Sequence, residues 1–125
     1  VDGLTAGGAK IRLMSLDSAH RSDVVTELLD AKAVVLGSST LNNGMLPRVA
    51  DLLCYMKGLR PAGKLGAAFG SYGWSGEAVK LIEKELTDMN VAIVAPGLRT
   101  QYVPDNDALD ACIAFGRKVG QAIKA

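Results

Sequence analysis

Short apolar runs alternate with segments of helical periodicity along all 125 residues of the chain, and this alternation constrains the fold more than any other feature. Residues 33–36, Ala-Val-Val-Leu, form a continuous apolar run of the kind that a parallel strand buried on both faces requires. Residues 65–69 and 91–94 repeat the pattern, the latter halted by Pro96-Gly97, and residues 10–16 are a further candidate strand entered after Gly7-Gly8. Between these runs Val24, Val25, Leu28 and Leu29 recur at helical spacing, with Ser22 or Asp23 placed to cap the start. Val49, Ala50, Leu53 and Met56 do the same behind Pro47, and Gly58 is expected to end that helix. Two more helices are expected, over residues 76–89 and from the Asp105-Asn106-Asp107 cluster toward Lys124. Strand and helix in this order imply an α/β fold, an open parallel sheet with right-handed crossovers and helices on both faces. No repeat, linker or low-complexity tract divides the chain, so residues 1–125 read as a single domain.

Composition narrows the possible functions. Fourteen basic residues against thirteen acidic ones, with no dense basic stripe carrying interleaved aromatics, argue against a nucleic-acid partner. No apolar run approaches the roughly 20 residues of a membrane helix, and the start shows no secretory signal. Cys54 and Cys112 are far apart, outside any Cys-x-x-Cys pair, and with one histidine they cannot make a typical zinc site. They are expected to be small buried thiols in a reducing cytoplasm. No catalytic residue and no metal ligand is assigned.

The first residues are anomalous. Residues 1–5 read as the last turn of a helix whose beginning is absent, and a helix ahead of the first visible strand implies an earlier strand. The domain is therefore expected to be N-terminally incomplete.

In an open parallel sheet ligands bind beyond the carboxyl ends of the strands, so the strand-to-helix loops are the places to look for a site. The loop Gly37-Ser38-Ser39-Thr40-Leu41-Asn42-Asn43-Gly44-Met45-Leu46-Pro47 exceeds the usual 2–6 residues of such connections. Its three hydroxyls, two amides and flexible Asn43-Gly44 step suit the polar edge of a ring, and equally suit a polar turn that caps the following helix. The loop Gly70-Ser71-Tyr72-Gly73-Trp74-Ser75-Gly76-Glu77 holds the only Trp and one of three Tyr. Its glycines allow close backbone approach to a ligand that the rings could cover; the alternative is that Trp74 folds back over the core. A hydrolase elbow fails because Glu77 stands at the final glycine position of Gly-x-Ser-x-Gly, and the lone His20 follows a different strand, as a solvated loop residue. Dinucleotide and Walker signatures are absent.

These two loops resemble those of the flavodoxin-like domain of the flavodiiron proteins, also called A-type flavoproteins. The residues that carry the likeness run from Leu36 to Gly44 and from Gly66 to Ala78, and the Gly-Ser-Tyr-Gly-Trp-Ser-Gly run is the more specific part. The resemblance implies a flavodoxin-like sheet of order 2-1-3-4-5, with FMN at its carboxyl edge. It implies cofactor contacts from Ser38, Ser39, Thr40, Leu41, Asn42 and Asn43 in one loop, and from Gly70, Ser71, Tyr72, Gly73, Trp74 and Gly76 in the other. Tyr72 or Trp74 would cover a ring face, and the Asn43-Gly44 region is expected to rearrange on reduction. The sequence departs from the family at Ser39, where Pro is usual, and in lacking the first strand with its phosphate loop. That strand would lie between the first two visible ones, leaving two inner edges unpaired.

By the same resemblance the function is FMN-based electron transfer to the diiron centre of an oxygen or nitric oxide reductase. That centre sits on a separate metallo-β-lactamase-like domain, rubredoxin or a rubredoxin reductase is the electron donor, and a head-to-tail homodimer is the expected assembly. Two other functions fit less of the sequence: a stand-alone flavodoxin-like NAD(P)H:quinone oxidoreductase, and a non-flavin interaction fragment.

Overall fold

A computed structural model of the chain describes residues 1–61 and 63–125. In chain order the elements are α1 (Asp2–Ala6), α2 (Arg21–Asp30), β1 (Ala33–Gly37), β2 (Thr40–Leu41), β3 (Gly44–Met45) and α3 (Pro47–Leu59). They continue with β4 (Leu65–Tyr72), α4 (Glu77–Asp88), β5 (Ala92–Ile93), β6 (Leu98–Gln101) and α5 (Asn106–Lys124). The long strand β4 is the axis of the main sheet. β1 pairs with it in parallel from Ala33↔Leu65 to Gly37↔Phe69, and on its other side β5 and β6 pair with its first and last residues, also in parallel.

Alternation along the strands divides the core into two layers. Leu36 and Ala68 face a large cluster built from Val25 and Leu28 of α2, Leu52, Leu53 and Met56 of α3, and Ile82 and Leu86 of α4. Ala67 and Val35 face the opposite side, against Val119 and Phe115 of α5 and Leu4 of α1. The chain thus folds as an α/β domain with helices on both sides of a parallel sheet, as its alternating pattern demands.

Five details differ from the sequence expectation. Residues 9–15 form neither helix nor strand, so the candidate strand at 10–16 is not realised. A strand needs a ladder, and among the described residues nothing pairs with this segment; the edge of β1 away from β4 is also without a partner strand. The final strand is not stopped by Pro96-Gly97. It breaks after Ile93 and resumes as β6, both pieces held by β4. The cap of α2 is His20, whose Nδ1 accepts the Ser22 N–H at 3.1 Å, rather than Ser22 or Asp23, which already lie inside the helix. Helix α3 ends at Leu59, one residue beyond Gly58, and is closed by Arg60 in a left-handed conformation. The thiols also lie nearer solvent than expected: both are free, Cys54 exposed on α3 and Cys112 half-buried on α5.

Helix α1 is held on α5 by backbone contact. Gly3 and Gly7 on one helix meet Gly116 and Gly120 on the other, each pair spaced by four so that both lie on one face. A Cβ at Gly116 would stand 2.8 Å from the Leu4 nitrogen, and one at Gly120 2.9 Å from the Leu4 carbonyl oxygen; one at Gly3 would collide with the Ile113 carbonyl. Gly58 on α3 is the contrasting case, since a Cβ there meets nothing within 4 Å. Gly116→Ala should therefore destabilise the domain by about 1–3 kcal/mol through overpacking. Gly58→Ala should stabilise it by about 0.5–1 kcal/mol through helix propensity. Urea denaturation of the two variants beside the parent protein checks the opposite signs.

Candidate functional site

The parallel register brings the carboxyl ends of three strands to one rim. Because Gly37 is level with Phe69, the residues after β1 lie beside residues 70–72, and β6 carries Gln101 level with Tyr72. Two loops expected from the sequence, together with the end of β6, therefore face one another.

The long first loop is a β-hairpin. Thr40 and Leu41 pair antiparallel with Met45 and Gly44 across a two-residue turn, Asn42-Asn43. Both turn residues have positive φ, 50° and 61°, as the primed turn of a two-residue hairpin needs, and Asn accepts that conformation readily. The Asn43-Gly44 step anticipated as flexible leads from that turn into β3. Ser38 fixes its base: only 6 % exposed, its hydroxyl donates to the Ser39 carbonyl at 2.8 Å and accepts the Leu46 N–H at 2.9 Å. That second bond satisfies a backbone donor where α3 begins.

The second loop leaves β4 and enters α4, and three polar contacts join it to the hairpin. Ser39 Oγ and Ser71 Oγ lie 3.1 Å apart, the Ser75 hydroxyl donates to Asn43 Oδ1 at 3.2 Å, and the Ala78 N–H donates to Thr40 Oγ1 at 3.4 Å. Glycine at 70 is obligatory here, since a Cβ would overlap the Ser38 carbonyl of the neighbouring loop. From the other side Gln101 Nε2 donates to the Gly73 carbonyl at 3.3 Å, and the Arg99 guanidinium sits 5.6 Å from the Tyr72 ring centre with Nη1 3.4 Å from the Gly76 carbonyl.

Between the three strand ends lies an open cleft of about 180 Å³, lined by Ser39, Thr40, Ser71, Tyr72, Gly73 and Tyr102. Five of these six were expected from the sequence. Ser38 and Gly70 lie just behind the cleft as supports; Leu41, Asn42 and Asn43 form the hairpin tip, with Leu41 46 % exposed. Gly76 is packed against Arg99 and Tyr72. Trp74 stands at the rim, 96 % exposed, and is not part of the lining. Tyr102 was missed by the sequence reading. The rule that ligands sit beyond strand carboxyl ends would have found it, had the strand past Pro96-Gly97 been recognised.

The lining carries hydroxyls and aromatic rings but no charged side chain. Such a set suits the edge and face of an uncharged planar ring, and leaves a phosphate without a cationic partner among these residues. A second hollow, about 170 Å³, lies between the starts of α2 and α3. Its arginines are already engaged, Arg21 with Asp51 at 2.7 Å and Arg48 with Asp17 at 3.8 Å, so it offers no free cation for a ligand. Among the described residues no cluster of three potential metal ligands occurs, and no helix is long and apolar enough to cross a membrane.

The Ser38 clamp yields a direct test. Ser38→Ala removes the acceptor for a buried N–H and should cost about 1–3 kcal/mol, measured as a fall in the urea midpoint.

The sequence matches the flavodoxin family over residues 1–116. It is 45 % identical to a nitric oxide reductase of Moorella thermoacetica, over 98 % of this chain and 31 % of that protein. The solved structure of rubredoxin oxygen:oxidoreductase from Desulfovibrio gigas superposes with a TM-score of 0.94 at 38 % identity, covering 98 % of this chain and 31 % of the other. The flavodiiron protein from Giardia intestinalis gives 0.91 at 33 % identity, with coverages of 98 % and 31 %. The chain thus spans about a third of the length of the curated relative and of both solved proteins.

Proposed function

The chain belongs to the flavodoxin family, and from that premise we propose that it is the FMN-binding electron-transfer domain of a flavodiiron-type oxygen or nitric oxide reductase. The observation that carries this reading is the uncharged cleft of hydroxyls and aromatic rings at the carboxyl ends of β1, β4 and β6. Bound there, FMN would supply one- and two-electron transfer, with the protein setting its orientation and surroundings. In this reading Ser39, Thr40 and Ser71 would hydrogen-bond the polar edge of the ring, Tyr72 would pack on it, and Gly73 would let the backbone approach; their shared lining of the cleft supports it. The clamp between hairpin and second loop holds these groups in register before any ligand arrives, which lowers the ordering cost of binding.

The relatives' names support the next part of the proposal. A nitric oxide reductase, a rubredoxin oxygen:oxidoreductase and a flavodiiron protein are among them, so the electrons would pass to a diiron domain elsewhere in the same polypeptide, with rubredoxin or a rubredoxin reductase as donor. A head-to-tail homodimer would bring the two kinds of domain together. A cytoplasmic location fits such a partner.

The reading also includes one more parallel strand, seated on the unpaired edge of β1, whose following loop would hold the phosphate. The unpaired edge, the unladdered segment at 9–15 and the absence of charge in the cleft all support it. Retention of the flavin absorption band after FMN loading and desalting tests both parts. The full-length protein should retain the band, and the 125-residue chain alone should lose most of it. Equal retention by the short chain would remove the extra strand from the proposal, and no retention by either would remove FMN.

A further inference from the structure

Tyr102 joins an uncommon backbone conformation to an exposed ring at the edge of the cleft. The β4–β6 ladder runs one residue past β6, where the Tyr102 N–H donates to the Tyr72 carbonyl at 2.8 Å. At that residue the backbone is left-handed, with φ of 55°. Seven described residues have positive φ, and five of them are Asn or Gly, the types that tolerate it. Of the two exceptions, Arg60 closes α3, its N–H bonded to the Met56 carbonyl. Tyr102 closes no helix. Its ring is not in the core either, being 69 % exposed.

The ring instead borders the cleft. It lines the hollow with Ser39, Thr40, Ser71, Tyr72 and Gly73, and a Cβ at Gly73 would stand 3.4 Å from its Cε1. Strand order sets the geometry: β1 and β6 flank β4, so Tyr102 and the pair Ser39 and Thr40 stand on opposite sides of Ser71 to Gly73. A flat ligand resting on Ser71 to Gly73 would have hydroxyls on one side and this ring on the other. Residues in sparsely populated backbone regions cluster at ligand clamps and switch regions, and this one borders the cleft.

We infer that Tyr102 is a ligand-gripping residue, its ring forming the β6-side wall against the flavin, so that Tyr72 and Tyr102 supply the aromatic contacts within the cleft. The inference rests on the FMN reading and adds to it a residue outside both glycine-rich loops. The contact is assigned to the ring rather than to the phenol hydroxyl, a division that Tyr102→Phe tests below.

The test uses the full-length protein and two readouts, FMN affinity by fluorescence quenching and the thermal midpoint of the flavin-free form. Tyr102→Gly relieves the left-handed strain while deleting the ring. Its Kd for FMN should rise roughly tenfold, the scale of one lost ring contact, while the flavin-free midpoint holds or rises. Tyr102→Asn, which also accepts the conformation, should weaken FMN to a similar extent, and Tyr102→Phe should bind within about twofold of the parent. Unchanged affinity in the Gly and Asn variants overturns the inference. So does a loss of affinity that appears only with a lowered flavin-free midpoint, which marks a structural role. A parent protein that binds no FMN overturns the cofactor reading itself, and this residue's role with it.

Discussion

The register of β1 on β4 is the constraint from which the rest of the domain follows. Five consecutive residue pairs, Ala33↔Leu65 to Gly37↔Phe69, fix the height at which both strands end. Shifted by one residue, each strand would turn its core face away from the helices that cover it, and Leu36 and Ala68 would leave the large cluster. The same register sets Ser39 against Ser71 and the Ser38 carbonyl against Gly70, so the two loops can clamp each other. The site is thus a by-product of sheet geometry. No element exists only to shape it except the hairpin, and that is seated by contacts to β4's own loop and to the start of α4.

Most of the architecture was legible in the sequence because burial on both faces leaves a simple mark. The runs at 33–36 and 65–69 are apolar throughout, and both appear as strands within a residue or a few of the expected limits. Helices α4 and α5 show the strong amphipathic spacing that made their bounds readable. What failed to show was structure that depends on a partner. β6, Leu-Arg-Thr-Gln, has little apolar signal, and β4 alone makes it a strand. Residues 9–15 carry a strand-like pattern but no ladder, so the pattern is not expressed. Local propensity supplies candidates, and pairing decides among them.

The candidate site was legible for a similar reason and to a similar extent. Glycine density and hydroxyl clustering marked the two loops, because close packing of backbones requires both. The division of labour inside the loops could not be read. Ser38 and Ser39 are adjacent and chemically identical, yet one is a buried clamp and the other lines the cleft. Trp74 drew attention as the only tryptophan but stands in solvent, while Tyr102, reached through a strand the sequence concealed, borders the cleft. Which side of a turn a residue faces depends on register, and register is a property of pairs of strands.

The glycine contact between α1 and α5 also limits how those helices can move. Backbone meets backbone where Gly3 and Gly7 face Gly116 and Gly120, so no side-chain rotamer is available to absorb a shift between them. A displacement of α5 therefore carries α1 with it, and the smaller core layer, Ala67 and Val119 with Leu4 packed against them, answers to the pair as one unit.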